Sequence, residues 1–103
     1  MTAYNVVRFR TKPGKAQAFI DHHLSAELNA PGFRKGVLVK TGERDFCFIG
    51  EWNEFDNLSA ARPAMIGILN DMRALLEDLG GNLGVTDPVS GSVVAEIGEQ
   101  SQV

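Results

Sequence analysis

A histidine and a glutamate, His23 and Glu27, are spaced as neighbours on one face of a helix. At about 100° per residue, Glu27 lies about 20° and His23 about 60° from Ile20, the centre of the apolar stripe. At this i, i+4 spacing a carboxylate can hold one imidazole nitrogen and leave the other free to take a proton. The spacing predicts a general base on the buried side of the helix. In the alternative interpretation, His23 lies at the edge of the stripe and Glu27 reaches solvent.

The adjacent histidine is a weaker candidate for chemistry. His22 points away from the apolar stripe, and we expect it to be solvated. A metal site made of Asp21, His22 and His23 is disfavoured, because adjacent positions on a helix diverge by about 100°. We therefore expect no bound metal.

An aromatic and an amide side chain form a second group of candidates. Trp52 ends a β-rich run, where an indole can line a pocket and donate one hydrogen bond, or close the sheet edge as a core aromatic. Asn5 shares one face of its strand with Val7 and Phe9. A buried amide there binds a ligand or satisfies a backbone group.

Two further residues are candidate ligand contacts. Arg62 precedes Pro63 at a predicted helix break, where its guanidinium can bind a carboxylate or phenolate bidentately. The alternative is a solvated helix residue. Phe48 contacts an aromatic ligand if a pocket exists, and fills the sheet face together with Phe19 if none does.

Apolar periodicity and turn residues predict the elements that position these side chains. The strands are expected at 4–9, 33–40, 45–52 and 89–97, with a hairpin loop at 41–44. The first helix begins at residue 14 or 15, carries Leu24 and Leu28 in its stripe, and ends at Pro31-Gly32. Asp56 is the expected N-cap of a short helical segment, and a longer helix follows Pro63.

That longer helix is expected to end at Gly80-Gly81, where two glycines stop the apolar periodicity. The residues beyond Gly98 are expected to fray. The resulting order β-α-β-β-α-β predicts a ferredoxin-like α+β fold, a four-stranded antiparallel sheet with two helices on one face.

The second face of this sheet also needs a cover. Val7 and Phe9 of the first strand point to one face, while Tyr4 and Val6 point to the other. A second copy related by a two-fold axis would cover the bare face most economically. We expect a homodimer formed through the sheet faces.

Composition limits the class of protein. The chain has 103 residues, 44% of them hydrophobic, which suffices for a single domain over 1–103. The net charge is −3 and the Lys and Arg residues are scattered, so we expect no binding to nucleic acid. No apolar run approaches the roughly 20 residues of a membrane span, so we expect a cytoplasmic protein without a membrane contact. Cys47 is the single cysteine and is expected to be a small buried strand residue.

Two segments carry a resemblance to a known family. The stretch from Ala30 to Pro63, APGFRKGVLVKTGERDFCFIGEWNEFDNLSAARP, places a Pro-Gly turn, two strands, a strand-end Trp and a helix start in succession. The stretch YNVVRFRTKPGKAQAF supplies a strand, a Lys-Pro-Gly turn and a helix. This order resembles the antibiotic biosynthesis monooxygenase-like domains of the dimeric α+β barrel superfamily. The resemblance implies a dimer whose two sheets close into one barrel.

The resemblance also bears on the candidate residues. Members that oxidise aromatic substrates or haem place a Trp at the strand end corresponding to Trp52. Family enzymes often use an Asn of the first strand to orient the substrate or dioxygen. Asn5 lies on the corresponding face of its strand, but its position along the strand does not establish the match. The haem-degrading branch uses a His on the second helix, whereas residues 56–79 contain none. Haem degradation is therefore disfavoured.

The resulting hypothesis is a cofactor-independent monooxygenase acting on a small aromatic or quinone-type compound. No Gly-rich phosphate loop, paired cysteines or nucleophile elbow is present, so no cofactor is expected. His23 is the candidate base, and Trp52, Asn5 and Arg62 would steady the oxyanion. One alternative is a non-catalytic dimer that binds a small hydrophobic ligand or serves a stress-related role. Another is an isomerase or lyase that also uses His23.

Overall fold

A sheet covered on one face by helices makes up the computed structural model, which describes residues 1–98. Within these residues the elements are, in chain order, β1 Ala3–Arg10, α1 Ala16–Ser25, β2 Phe33–Lys40, β3 Asp45–Trp52, α2 Phe55–Ala60, α3 Arg62–Met72 and β4 Asp87–Ser92. A short 3₁₀ turn, Arg73–Leu75, continues α3. The expectation for the chain beyond Gly98 lies outside the described residues. None of the helices in 1–98 has the length and apolar character needed to cross a bilayer.

The strands lie in the order β2-β3-β1-β4. Each neighbouring pair is antiparallel. The ferredoxin-like α+β fold predicted from the element order is thereby confirmed. The predicted bounds of β2 and β3 are also confirmed, because β-rich composition and the polar loop between them specify a hairpin locally.

The end of α1 differs from the prediction. The helix ends at Ser25, and Ala26 has extended backbone angles, φ −71° and ψ 140°. The Ser25 hydroxyl donates to the carbonyl of His22 at 3.1 Å, a local bond that competes with helix continuation. Leu24 is 80% exposed and so lies outside the apolar stripe. Leu28 packs on buried residues from an extended segment instead.

The start of the second helical region also differs. Glu54 occupies the N-cap position of α2 without a side-chain cap bond, and Asp56 lies within the first turn. The prediction of Asp56 as N-cap is therefore wrong, although an acidic residue in the first turn still interacts favourably with the helix dipole. Pro63 lies in the first turn of α3, where a missing N–H costs no helical bond.

Tertiary pairing ends α3 before the two glycines. The helix stops at Met72, and Leu76 is buried where it forms an isolated antiparallel bridge with Thr11. The N–H of Glu77 then donates to the carbonyl of Arg10 at 2.8 Å. The apolar periodicity up to residue 79 therefore predicted too long a helix. The residues after the 3₁₀ turn pair with the end of β1 as extended backbone instead.

The last strand is shorter and earlier than predicted. β4 spans Asp87–Ser92 instead of 89–97, and its register ends where Ser92 pairs with Ala3. Ala3 is the first residue of β1, and one further bond, from the Val93 N–H to the Thr2 carbonyl at 2.8 Å, ends the ladder within the described residues.

Two buried clusters form the core on the helix side of the sheet. The phenylalanine cluster consists of Phe9, Phe19, Phe46, Met72 and Leu76. The tryptophan cluster consists of Ala3, Trp52, Leu58 and Ala61. Along β1, Ala3 belongs to one cluster and Phe9 to the other, so that Asn5 and Val7 lie between them. The sheet therefore places a buried amide between two apolar clusters.

The opposite sheet face carries an uncovered apolar row. One residue of each strand contributes, and the register joins them in the order Val37, Ile49, Val6 and Val89. Val37 is 45% and Val89 63% exposed. Ion pairs flank the row on both sides, Arg8 with Asp87 at 3.1 Å and Arg34 with Glu51 at 3.2 Å. An apolar centre with a charged rim is typical of a protein–protein interface.

Candidate active site between the sheet and α3

A cavity of about 610 Å³ lies between the helix-side face of the sheet and α3. This volume falls in the range of small-molecule sites. Most of its lining is apolar, and the polar side chains that reach it are Asn5, His23, Arg62, Thr86 and Ser90. An apolar cavity with a few convergent polar groups is the usual form of a binding site for a small organic compound.

The apolar walls come from the sheet on one side and from α3 on the other. The sheet contributes Val7, Phe9 and Phe48, and the helix contributes Met65, Ile66, Ile68, Leu69 and Met72. Gly36, on the neighbouring strand, leaves space for the Phe48 ring, because a Cβ at Gly36 would lie 2.6 Å from Phe48 Cζ. The glycine on β2 therefore allows the Phe48 ring to lie in the cavity wall.

The Asn5 amide is held by the indole of Trp52. The Trp52 Nε1–H donates to Asn5 Oδ1 at 2.8 Å, and both residues are buried. Because an indole N–H can only donate, the amide oxygen faces Trp52 and the NH₂ group faces the other way. The NH₂ group donates to the Met65 sulfur at 3.8 Å. A thioether is a weak acceptor, so the amide keeps donor capacity on the cavity side.

A glycine on β3 makes room for this amide. Gly50 pairs directly with Asn5 across the two central strands. A Cβ at Gly50 would lie 2.4 Å from Asn5 Oδ1 and 3.2 Å from Trp52 Nε1. The hydrogen bond between the amide and the indole therefore requires a residue without a side chain at position 50.

His23 presents one ring nitrogen to a backbone carbonyl. Its Nδ1 lies 3.0 Å from the carbonyl oxygen of Phe19, which only accepts, so Nδ1 carries the proton of the neutral ring. The unprotonated nitrogen is then Nε2. The ring packs edge-on against Phe19, with centroids 4.5 Å apart, and tilted against Phe48 at 5.9 Å. These contacts fix the ring plane at the cavity wall.

Burial lowers the pKa of His23, and the nearby charge of His22 lowers it further. The bond to the Phe19 carbonyl opposes this effect without overcoming it. Desolvation disfavours the charged imidazolium, so the neutral ring predominates near pH 7. His23 therefore has the protonation state that a general base needs before it reacts.

Arg62 lies at the exposed edge of the cavity. Its Nη2 donates to Ser90 Oγ at 3.3 Å, and its guanidinium carbon lies 5.9 Å from the centre of the Phe55 ring. The first turn of α3 contains no acidic residue that would neutralise it. The guanidinium thus keeps most of its donor groups available.

The structure brings together four of the six residues singled out in the sequence. Asn5, His23, Arg62 and Phe48 line the cavity. Trp52 lies behind Asn5 and reaches the cavity only through that amide. Their roles in catalysis or binding stay predictions.

The predicted pairing of His23 with Glu27 is wrong. Since α1 ends at Ser25, Glu27 lies beyond the helix, is exposed, and does not line the cavity. The partner that orients the imidazole is the Phe19 carbonyl, a backbone group that no residue type signals.

Two polar cavity residues, Thr86 and Ser90, were not identified from the sequence. Both belong to the region of β4, whose predicted bounds were late by two residues at its start. The antiparallel register that places Ser90 opposite Asn5 depends on tertiary pairing. In the part of the chain that the structure describes, no three His, Cys, Asp or Glu side chains are grouped so as to hold a metal.

Comparison with known proteins gives similarity in structure only. No family model matches the sequence, and no curated protein matches it significantly. Among solved structures, SnoaB, a cofactor-independent oxygenase from Streptomyces nogalater, is 16% identical and superposes with a TM-score of 0.67 over 95% of this chain and 98% of its own. A candidate antibiotic biosynthesis monooxygenase from Nitrosomonas europaea is 10% identical, with a TM-score of 0.72 over 94% of each chain.

The protein Rv0793 from Mycobacterium tuberculosis is similar to the same degree, with 14% identity and a TM-score of 0.69 over 95% of this chain and 100% of its own. At such identities the similarity shows the fold alone. The chain has the fold of the antibiotic biosynthesis monooxygenase-like proteins, which confirms the structural part of the resemblance seen in the sequence.

The lowered pKa of His23 can be measured directly. We expect the ring to titrate below about 6.5, the value of an unperturbed imidazole, because folding buries it. The unfolded chain then binds the proton more readily, so the free energy of unfolding should fall as the pH drops below about 6.5 and level off below the folded-state pKa. NMR titration of the His23 ring, with the urea-unfolded chain as control, tests this. A folded-state midpoint at or above the unfolded value would contradict it.

Proposed function

We propose that the chain is a cofactor-independent monooxygenase that acts on a small aromatic compound with an ionisable C–H or O–H group, and that residues 1–103 form its single domain. The observation that carries this proposal is a half-buried imidazole, held by the Phe19 carbonyl so that Nε2 is unprotonated, and an oriented amide donor in the same apolar cavity. The fold of a cofactor-independent oxygenase from Streptomyces nogalater supports it.

His23 acts as the general base. With Nδ1–H donating to the Phe19 carbonyl, Nε2 takes a proton from the substrate. The carbonyl then stabilises the imidazolium, because the bond from Nδ1 strengthens when the ring becomes charged. The apolar surroundings that lower the pKa of His23 also leave the substrate anion poorly solvated and therefore a stronger reductant.

Asn5 stabilises the developing oxyanion of the substrate. Its NH₂ group is directed by the bond from Trp52 and has only a sulfur as a protein partner. A preoriented donor of this kind needs no reorganisation as charge develops. Trp52 is a positioning residue, since it acts through Asn5 and does not line the cavity.

The electron balance of the reaction requires no cofactor. In an anthrone, the reacting CH₂ loses a proton to His23, and the resulting carbanion reduces dioxygen. One oxygen atom bonds to this carbon, which becomes C=O, and the second oxygen leaves as water. The substrate supplies all four electrons that dioxygen accepts. The protein supplies a base, an oxyanion donor and a cavity that limits access of water.

We further propose a homodimer formed through the open sheet face. The apolar row of Val37, Ile49, Val6 and Val89 is flanked by ion pairs, which matches the apolar core and polar rim of stable interfaces. A self-complementary face of this kind is closed by a two-fold axis. The helices and the cavity then lie on the outer sides of the two sheets.

Oxygen consumption tests the proposed reaction. Purified protein, without flavin or metal, should take up oxygen in the presence of hydroquinones or anthrones. His23→Ala should lower the rate by about 10²–10⁴-fold, the usual contribution of a general base. His22→Ala is the matched control, because His22 is adjacent on α1 and does not line the cavity.

Equal rates for the two histidine variants would exclude His23 as the base. Binding of these compounds without uptake would favour a non-catalytic ligand-binding protein. A rearranged product without oxygen consumption would indicate an isomerase or lyase of the same fold.

The assembly is tested separately by sedimentation. Ile49→Asp places a charge in the middle of the apolar row and should convert the dimer to a folded monomer, because an unpaired charge in an interface is costly to desolvate. Leu24→Asp, at an 80% exposed position on the helix side, should leave the dimer intact. A wild-type monomer, or dissociation by both variants alike, would contradict the proposed interface.

A further inference from the structure

We propose that the substrate carries a carboxylate, which binds Arg62 at the cavity edge while the ionisable group of its aromatic ring lies at His23. This inference rests on the proposed function, because it names the substrate class of the same cavity. It depends on the pairing of the arginines, on the charge of the cavity lining, and on the position of Arg62 relative to Asn5.

Arg62 differs from most arginines of the chain in its partners. Within residues 1–98, four arginines have a carboxylate within ion-pair distance, namely Arg8, Arg10, Arg34 and Arg44. Arg62 contacts the Ser90 hydroxyl and the Phe55 ring, both uncharged. Its guanidinium therefore offers a bidentate site for a carboxylate without first breaking an ion pair.

The cavity lining carries charge of one sign only. Arg62 is the one permanently charged side chain among the described residues that line it, and no Asp or Glu lines it. Asn5, Thr86 and Ser90 also line the cavity and have hydrogen-bond donors, and His23 is the remaining polar residue. An anionic compound thus meets a cation, several donors and no carboxylate, whereas a cationic compound meets a repelling guanidinium and no carboxylate.

The register places this anion site next to the amide. Ser90, which accepts from Arg62, is the direct cross-strand partner of Asn5. The His23 ring contacts Phe48, which pairs with Val7, two residues along β1 from Asn5. His23 and Arg62 therefore reach the cavity at different points. A compound whose carboxylate meets Arg62 would lay its ring over the intervening apolar wall and bring its far end to His23.

The position of Arg62 at an exposed edge limits the strength of this contact. Solvent screens a charge pair there, so the preference for an anion should be moderate and should weaken as salt is added. A preference of about tenfold at low ionic strength corresponds to about 1.4 kcal/mol. A buried ion pair would show less dependence on salt.

Calorimetric titration with a hydroxynaphthoic acid and its methyl ester tests the inference. The two compounds share the aromatic rings and the hydroxyl, and differ in the charge of one group. The wild-type protein should bind the acid about tenfold more tightly than the ester at low salt. Arg62→Gln should remove this preference by weakening the acid alone. Arg73→Gln should keep it, because Arg73 bonds to Asn70 and does not line the cavity.

The outcomes separate this inference from the proposed function. Equal binding of acid and ester by the wild-type protein, or a preference that persists in Arg62→Gln, overturns the role of Arg62 and leaves the cavity as a ligand site. If neither compound binds the wild-type protein or either variant, the result counts against both the proposed function and this inference. Thermal unfolding of each variant establishes that a lost preference does not come from a lost fold.

Discussion

The hydrogen bond from the Trp52 indole to the Asn5 amide is the interaction on which the candidate site depends. It joins the two central strands on the helix side of the sheet, and links Trp52 of the tryptophan cluster to Asn5, which lies between the two clusters. It requires Gly50, because any side chain there would occupy the position of the amide oxygen. It also decides which way the amide faces, since the indole can only donate and the NH₂ must therefore turn to the cavity. A hydrogen bond between two buried residues thus orients the amide that faces the candidate site.

The same bond leaves a buried donor incompletely satisfied. Asn5 is 6% exposed, and the Met65 sulfur at 3.8 Å is a poor substitute for an oxygen acceptor. Buried polar groups lower stability unless they are bonded, so this amide reduces the stability of the unliganded protein. A ligand oxygen that accepts from this NH₂ group would satisfy the amide, and the orientation imposed by Trp52 would then stabilise the complex. This reasoning links the fold to a ligand without assuming which ligand it is.

The parts of this structure that could be predicted from sequence are those with local causes. The hairpin of β2 and β3 follows from β-rich residues around a polar loop, and the shared face of Asn5 and the cavity residues of β1 follows from strand alternation. The end of α3 was mispredicted because tertiary pairing decided it, where Thr11 bridges Leu76. His23 was identified with the wrong partner, since the spacing of side chains cannot reveal that a backbone carbonyl holds the ring. The hydrogen bond from Trp52 to the Asn5 amide oxygen could not be inferred either. The strands that carry these two residues are far apart in sequence and are brought together by tertiary pairing.

The most direct test of this account uses the single tryptophan of the chain. A ¹⁵N-labelled sample gives one indole N–H resonance, which reports on the bond to Asn5 without ambiguity of assignment. The account predicts that this proton exchanges slowly with solvent in the wild-type protein, and that Asn5→Ala shifts its resonance, speeds its exchange and lowers the free energy of unfolding by about 1–3 kcal/mol. Exchange as fast as that of an exposed indole, or a resonance unchanged by Asn5→Ala in a folded protein, would contradict the claim that Trp52 positions the amide.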